Sequence, residues 1–146
     1  MTRDDWRRQI ADWQGQFDLR TRPPIPVASR MEGVLSELAD DFVSLYAISN
    51  GLRSEGFQLL PMYSPEDPKG TWDSLERANE IASTRFLHAD PVLLERFFIF
   101  AEIGGGCCAC ILREDGGIWF EDDEGIHQTD LDLRGFVETM LWEDGD

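Results

Sequence analysis

The sequence predicts an α+β fold, in which a mainly antiparallel sheet of about four to six strands packs against flanking helices. Three observations support this class: apolar residues at helical spacing in the first half, short strand-like runs separated by glycine turns in the last third, and helical spacing again at the end. Hydrophobic residues make up 42% of the chain, which excludes a disordered protein. We therefore expect residues 1–146 to form one domain, with an N-terminal helix and proline-rich strap over 1–30 and a core over 31–146.

The first predicted element is a helix close to the N-terminus. Trp6, Ile10 and Trp13 recur at the spacing of one helix face, with charged residues between them. Thr2 precedes two aspartates and is expected to cap this helix. Residues 22–26 contain three prolines, which favour an extended strap between this helix and the next.

The middle of the chain predicts two more helices around a short strand. One helix should begin near Ser29 and stop at Asn50-Gly51, because glycine readily adopts the left-handed conformation that ends a helix. A strand is expected at 57–60, followed by a turn-rich loop over 64–70. A third helix is predicted from Trp72 to His88, and its apolar side would contain Trp72, Leu75, Ala78, Asn79, Ala82 and Phe86.

The last third predicts an antiparallel meander and a closing helix. The expected strands are residues 97–103, 107–112 and 118–120, and the turn at 122–125 leads into a fourth. The glycines at 104–106 join two strands, which favours a bulge or hairpin loop over a phosphate cradle. The apolar face of the closing helix would contain Leu133, Phe136, Val137, Met140 and Leu141.

The acidic residues are concentrated in the later part of the chain. The net charge is −16, yet the residues up to Arg30 carry +2 and the remainder therefore carries −18. From Glu114 onwards there are twelve acidic residues and one arginine. Such a field repels nucleic acid, disfavours anionic membrane surfaces, and favours a basic protein partner. The alternative interpretation is that the acidity only maintains solubility.

The cysteines and the first residues indicate a cytoplasmic protein. The charged N-terminal residues are not typical of a secretory signal, and the longest apolar run is too short to span a bilayer. Cys107, Cys108 and Cys110 are an odd, crowded set rather than a disulfide framework. On a strand, Cys108 and Cys110 would point to one face and Cys107 to the other. We interpret them as core residues and predict no metal site and no cofactor.

Two exposed acidic segments are the candidate binding sites. The first combines Glu66 and Asp67 with Trp72, which could be an interface hot spot or a residue packed at the start of a helix. The second is the turn of Asp122, Asp123 and Glu124, whose spacing does not fit a calcium-binding loop. Acidic residues are so abundant that no pair is singled out for catalysis, and we predict that the protein is not an enzyme.

Several short segments between Met31 and Leu141 carry a family resemblance. They are Leu38–Tyr46, Asn50-Gly51, Leu59-Leu60, Phe98–Ala101 with the glycine run after it, Gly116–Trp119, and Leu133–Val137. In this order they resemble the SUKH superfamily, which includes fungal cell-wall assembly regulators and bacterial toxin-immunity proteins. The resemblance implies a sheet packed with helices, no catalytic residue, and a protein-binding role, typically neutralisation of a secreted toxin that is often a nuclease. The alternative is a regulatory or scaffold domain of the same fold that binds an endogenous partner.

Overall fold

The computed structural model describes residues 1–25 and 40–144, and within these ranges it contains five α-helices and seven β-strands. The helices are α1 (Arg3–Gln16), α2 (Asp40–Tyr46), α3 (Leu75–Ala78), α4 (Pro91–Arg96) and α5 (Leu133–Asp144). The strands are β1 (Arg20–Thr21), β2 (Leu52–Arg53), β3 (Phe57–Leu59), β4 (Phe97–Ile103), β5 (Cys107–Leu112), β6 (Ile118–Asp122) and β7 (Gly125–Gln128). The α+β class is confirmed. The strand number exceeds the predicted range because β1 and β2 have only two residues each, too few for alternation to be recognised.

All seven strands form one antiparallel sheet in the order β1-β2-β3-β4-β5-β6-β7. Phe57, Ile103 and Cys107 pair across β3, β4 and β5 and mark one end of the sheet. Since successive hairpin turns alternate between the ends of an antiparallel meander, the β6–β7 turn lies at this same end and the β5–β6 turn lies at the other.

Helix α5 and helix α2 meet the sheet at Phe100, beside a β-bulge between Ile99 and Ala101. The ring of Phe100 is fully buried and makes edge-to-face contacts with Phe42 of α2 at 5.1 Å and Phe136 of α5 at 5.5 Å. Such pairs stabilise a core beyond the apolar area that they bury. This contact therefore attaches two helices to the central strand.

Helix α1 belongs to the same core. The predicted cap is present: the Thr2 hydroxyl accepts a hydrogen bond from the Asp5 amide at 3.1 Å, and the Asp5 carboxylate accepts one from the Thr2 amide at 2.9 Å. Trp6 and Trp13 are buried with ring centroids 6.3 Å apart. The N-terminal helix also contacts α5, since Arg134 donates a hydrogen bond to Gln9 at 2.7 Å.

The predicted helix from Ser29 to Asn50 is observed in its C-terminal part, as α2, and residues 29–39 lie outside the described ranges. Gly51 has the left-handed conformation expected of it, with a φ of +84°, but it is not the position where the helix stops. The helix itself ends earlier, at Tyr46, and residues 47–50 continue as turns whose amides donate to Val43, to Leu45 and to the carbonyl of Arg22.

The prediction of a long helix from Trp72 to His88 is wrong. Only Leu75–Ala78 is α-helical, because the next residue, Asn79, uses its side chain to attach the chain to the sheet. Its amide donates to the carbonyls of Leu75 at 2.8 Å and Ile99 at 2.9 Å, and its oxygen accepts from the Ile99 amide at 2.7 Å. The two long-range bonds to Ile99 override the helical periodicity of the segment.

The cysteines occupy both faces of the sheet, as the alternation predicted. Cys108 and Cys110 are fully buried on the face covered by residues 75–96, and Cys107 is half-buried on the α5 face. The pKa of Cys108 is raised, first by its hydrogen bond to Cys110 and then by burial. Among the helices of the described chain, none is long and apolar enough to cross a membrane.

Candidate functional site

The end of β6 and the β6–β7 turn contain four consecutive acidic residues, Glu121 to Glu124, which the fold uses in different ways. Asp122 stabilises the turn itself: one carboxylate oxygen accepts the amides of Glu124 at 2.8 Å and Gly125 at 3.1 Å, and lies 2.8 Å from the His127 ring nitrogen. These bonds favour the charged carboxylate, so the pKa of Asp122 is lowered, with the His127 bond as the largest cause. Asp122 is therefore engaged within the hairpin.

Asp123 and Glu124 occupy the tip of the turn and are exposed. Within residues 1–25 and 40–144, no cationic side chain pairs with either carboxylate. Both charges therefore remain available to a partner, in contrast to the neighbouring Asp122.

Glu121 precedes Asp122 in β6, and its side chain therefore points to the opposite face of the sheet from that of Asp122. Glu121 was not among the predicted binding residues. Its side chain is only 12% exposed. One carboxylate oxygen accepts a hydrogen bond from the Leu87 amide at 3.2 Å and a weaker one from the Cys108 thiol at 3.8 Å. The His88 ring lies 4.0 Å from the other oxygen.

The segment that Glu121 holds is strained. Leu87, His88 and Ala89 have φ angles of 52°, 55° and 50°. Residues other than glycine rarely adopt this left-handed region. Leu87 is fully buried, whereas His88 is 91% exposed. Burial of Leu87 and the bond to Glu121 together hold this turn against the acidic end of β6.

Glu121→Ala is expected to lower the free energy of unfolding by about 1–2 kcal/mol, because the Leu87 amide loses its acceptor in a half-buried place. Glu121→Gln keeps an oxygen at that position and should stay close to the wild-type value. Urea denaturation gives the stabilities, and hydrogen exchange at the Leu87 amide reports the local opening. Equal losses for both variants would show that charge, and not the hydrogen bond, holds the turn.

An apolar cleft of about 440 Å³ lies beside the acidic turn, between the end of the sheet and α5. Its apolar lining comes from the sheet, the segment before α5, and α5 itself. The residues are Phe57 of β3, Ile103 of β4, Phe120 of β6, Leu131 before α5, and Phe136 and Met140 of α5. Cys107, Asp122 and Glu143 also line it. Burial raises the pKa of the Cys107 thiol, and the carboxylates of Asp123, Glu121 and Asp122 raise it further, so the thiolate is disfavoured there.

A second hollow of about 460 Å³ lies around the other side of the turn. It shares Cys107 and Asp122 with the apolar cleft and adds the basic residues Arg85 and His88. Arg85 is ion-paired with Glu102. The acidic turn thus stands between an apolar cleft and a polar hollow.

The other predicted site, the loop with Glu66, Asp67 and Trp72, lies elsewhere on the molecule. Residues 60–75 leave β3 at the end remote from Phe57, whereas the β6–β7 turn lies at the Phe57 end, so the two sites are not brought together. Asp67 orders its own loop by accepting the Gly70 amide at 3.1 Å, and Glu66 is exposed.

Trp72 is 53% exposed, and the Arg77 guanidinium lies 4.3 Å from its ring centroid. Its ring is therefore not packed into the core as a helix staple would be. An exposed tryptophan stacked by arginine is a surface feature that a partner could contact.

In the part of the chain that the structure describes, no group of three or more His, Cys, Asp or Glu side chains is arranged to hold a metal ion. The comparisons with known proteins yield no relative: no family model, no curated protein and no solved structure matches this chain at a significant level. The candidate function therefore depends on the geometry and charge of the site.

Proposed function

We propose that this chain is a non-enzymatic protein-binding domain for a basic partner, and most specifically a cytoplasmic immunity protein that neutralises a toxin domain by direct binding. The observation that carries the proposal is the β6–β7 turn, whose exposed Asp123 and Glu124 have no cationic partner among the described residues. A surface that leaves such charges unpaired is suited to a cationic partner.

The charge distribution supports the same proposal. Residues after Arg30 carry a net charge of −18, and this field would accelerate the approach of a basic protein. A nuclease binds phosphate through cationic side chains, so carboxylates of this chain that contact those side chains would compete with nucleic acid. The resemblance to the SUKH superfamily adds a biological setting in which such competition protects the cell.

The state of the thiols fits a non-catalytic protein in a reducing compartment. Cys107, Cys108 and Cys110 are all free, and the pKa values of Cys107 and Cys108 are raised rather than lowered. A nucleophilic cysteine needs the opposite shift.

Charge reversal at the turn tests the proposal. Asp123→Lys with Glu124→Lys is expected to slow association with the toxin by about tenfold or more, because both steering and contact charges are inverted. The matched control is Glu95→Lys with Glu114→Lys, which changes the net charge equally on α4 and on the β5–β6 turn. A third variant, Glu66→Lys with Trp72→Ala, tests the other predicted site. The readouts are the association rate at low and high salt, and survival of cells that co-express the chain with the toxin domain of a neighbouring gene.

If cells die equally with and without this chain, the immunity proposal fails. If the control pair weakens binding as much as the turn variant, the overall charge and not the β6–β7 turn recognises the partner. A loss confined to the third variant would move the binding site to the Trp72 loop.

A further inference from the structure

Recognition by charge alone does not account for the apolar cleft beside the acidic turn. Phe57, Phe136 and Met140 form part of an apolar lining that is large enough for one bulky side chain. Leu131 lines the same cleft and is 38% exposed, which leaves apolar surface at its opening. Interface hot spots are bound in apolar pockets that lose their water when a partner side chain enters.

The charges around the cleft select the occupant. Asp122 and Glu143 are its charged lining residues, and no Lys, Arg or His of the described chain lines it. Asp123 and Glu124 continue the acidic surface from Asp122 into the turn. A second copy of this chain, with its own charge of −16, would bring like charges together and is disfavoured.

We propose that the cleft binds one apolar side chain of the partner, while the exposed carboxylates of Asp123, Glu124 and Glu143 bind Lys or Arg residues that flank it. The partner therefore presents a basic, amphipathic segment and not merely a cationic surface. This inference rests on the proposed function and specifies the chemistry of the partner at that site.

The test uses the full chain and three short fluorescent peptides: one that alternates Leu and Arg, one with Ser in place of Leu, and one with Glu in place of Arg. The Leu/Arg peptide is expected to bind about tenfold more tightly than either of the others. It should also slow the reaction of Cys107 with a neutral maleimide, because this thiol lines the cleft whereas Cys108 and Cys110 are fully buried.

A matched pair of variants locates the binding. Leu131→Arg places a cation at the opening of the cleft and should weaken the Leu/Arg peptide about tenfold. Val92→Arg makes the same change at a residue of α4 that is 63% exposed and remote from the cleft lining, and should leave the affinity unchanged. Both positions are exposed, so both variants are expected to fold.

The outcomes separate this inference from the proposed function. If the Ser/Arg and Leu/Arg peptides bind equally and Cys107 is not protected, the cleft inference is overturned, while a loss of toxin binding in the charge-reversal variant still supports the proposed function. If the Leu/Arg peptide occupies the cleft but cells are not protected from the toxin, the cleft inference stands and the immunity function fails.

Discussion

Replacing Gly51 with alanine is expected to lower the free energy of unfolding by about 2–5 kcal/mol, since two penalties add at this position. The φ of Gly51 is +84°, a conformation that costs a residue with a Cβ about 1–2 kcal/mol. In addition, a Cβ here would lie 2.4 Å from the carbonyl oxygen of Leu59, a backbone atom of β3. Relief of that contact requires β3 to move away from the start of β2, with which Leu59 pairs through Leu52.

Gly116 is the matched control for this substitution. Its φ is +75°, close to that of Gly51, but a Cβ at Gly116 would meet no atom within 4 Å. Gly116→Ala should therefore show the conformational cost alone, about 1–2 kcal/mol. Urea denaturation of both variants isolates the steric contribution as the difference between them. Equal losses of stability would show that the chain around the Leu59 carbonyl can shift at little cost, so that the predicted steric penalty is absent.

Replacing Asn50 with alanine is expected to cost about 2–5 kcal/mol, because the Asn50 side chain satisfies two buried backbone groups. Its oxygen accepts the Met62 amide at 2.8 Å and its amide donates to the Met62 carbonyl at 3.0 Å, and both residues are buried. Met62 follows β3 and has no strand partner there. Truncation would leave its amide and carbonyl without partners and away from water.

Asn79 provides the comparison, since its side chain makes the same pair of bonds to Ile99 in a half-buried position. Asn79→Ala should be less destabilising because water can replace part of the lost side chain. Chemical denaturation ranks the two variants, and hydrogen exchange at the Met62 and Ile99 amides shows where each one opens. A smaller loss for Asn50→Ala than for Asn79→Ala would contradict the assignment of its effect to burial.

Of the four acidic residues at the candidate site, two stabilise the fold and two are exposed to solvent. Glu121 and Asp122 hold the strained turn and the hairpin, whereas Asp123 and Glu124 are exposed beyond them. Substitutions at the first two would therefore alter stability together with binding. For this reason the charge-reversal experiment uses only the last two.

Local patterns were sufficient for much of the architecture. The helical spacing of Trp6 and Trp13 predicted α1, and the apolar runs with glycine turns predicted β4 to β7. The acidic turn at Asp122 to Glu124 was also apparent from sequence, because adjacent acidic residues followed by a glycine favour a solvated turn between two strands. Each of these signals depends on residues that are close in sequence.

The sequence by itself thus determined the α+β class, the meander, the closing helix and the acidic turn, because periodicity and turn chemistry act over a few residues. Only the tertiary structure decided the course of residues 72–96, where Asn79 binds Ile99 and Leu87 binds Glu121, 34 positions away. It also decided the apolar cleft, whose lining extends from Gly56 to Glu143. The physical reason is that buried polar groups take partners wherever the packed chain places them, and such contacts leave no periodic trace in the sequence.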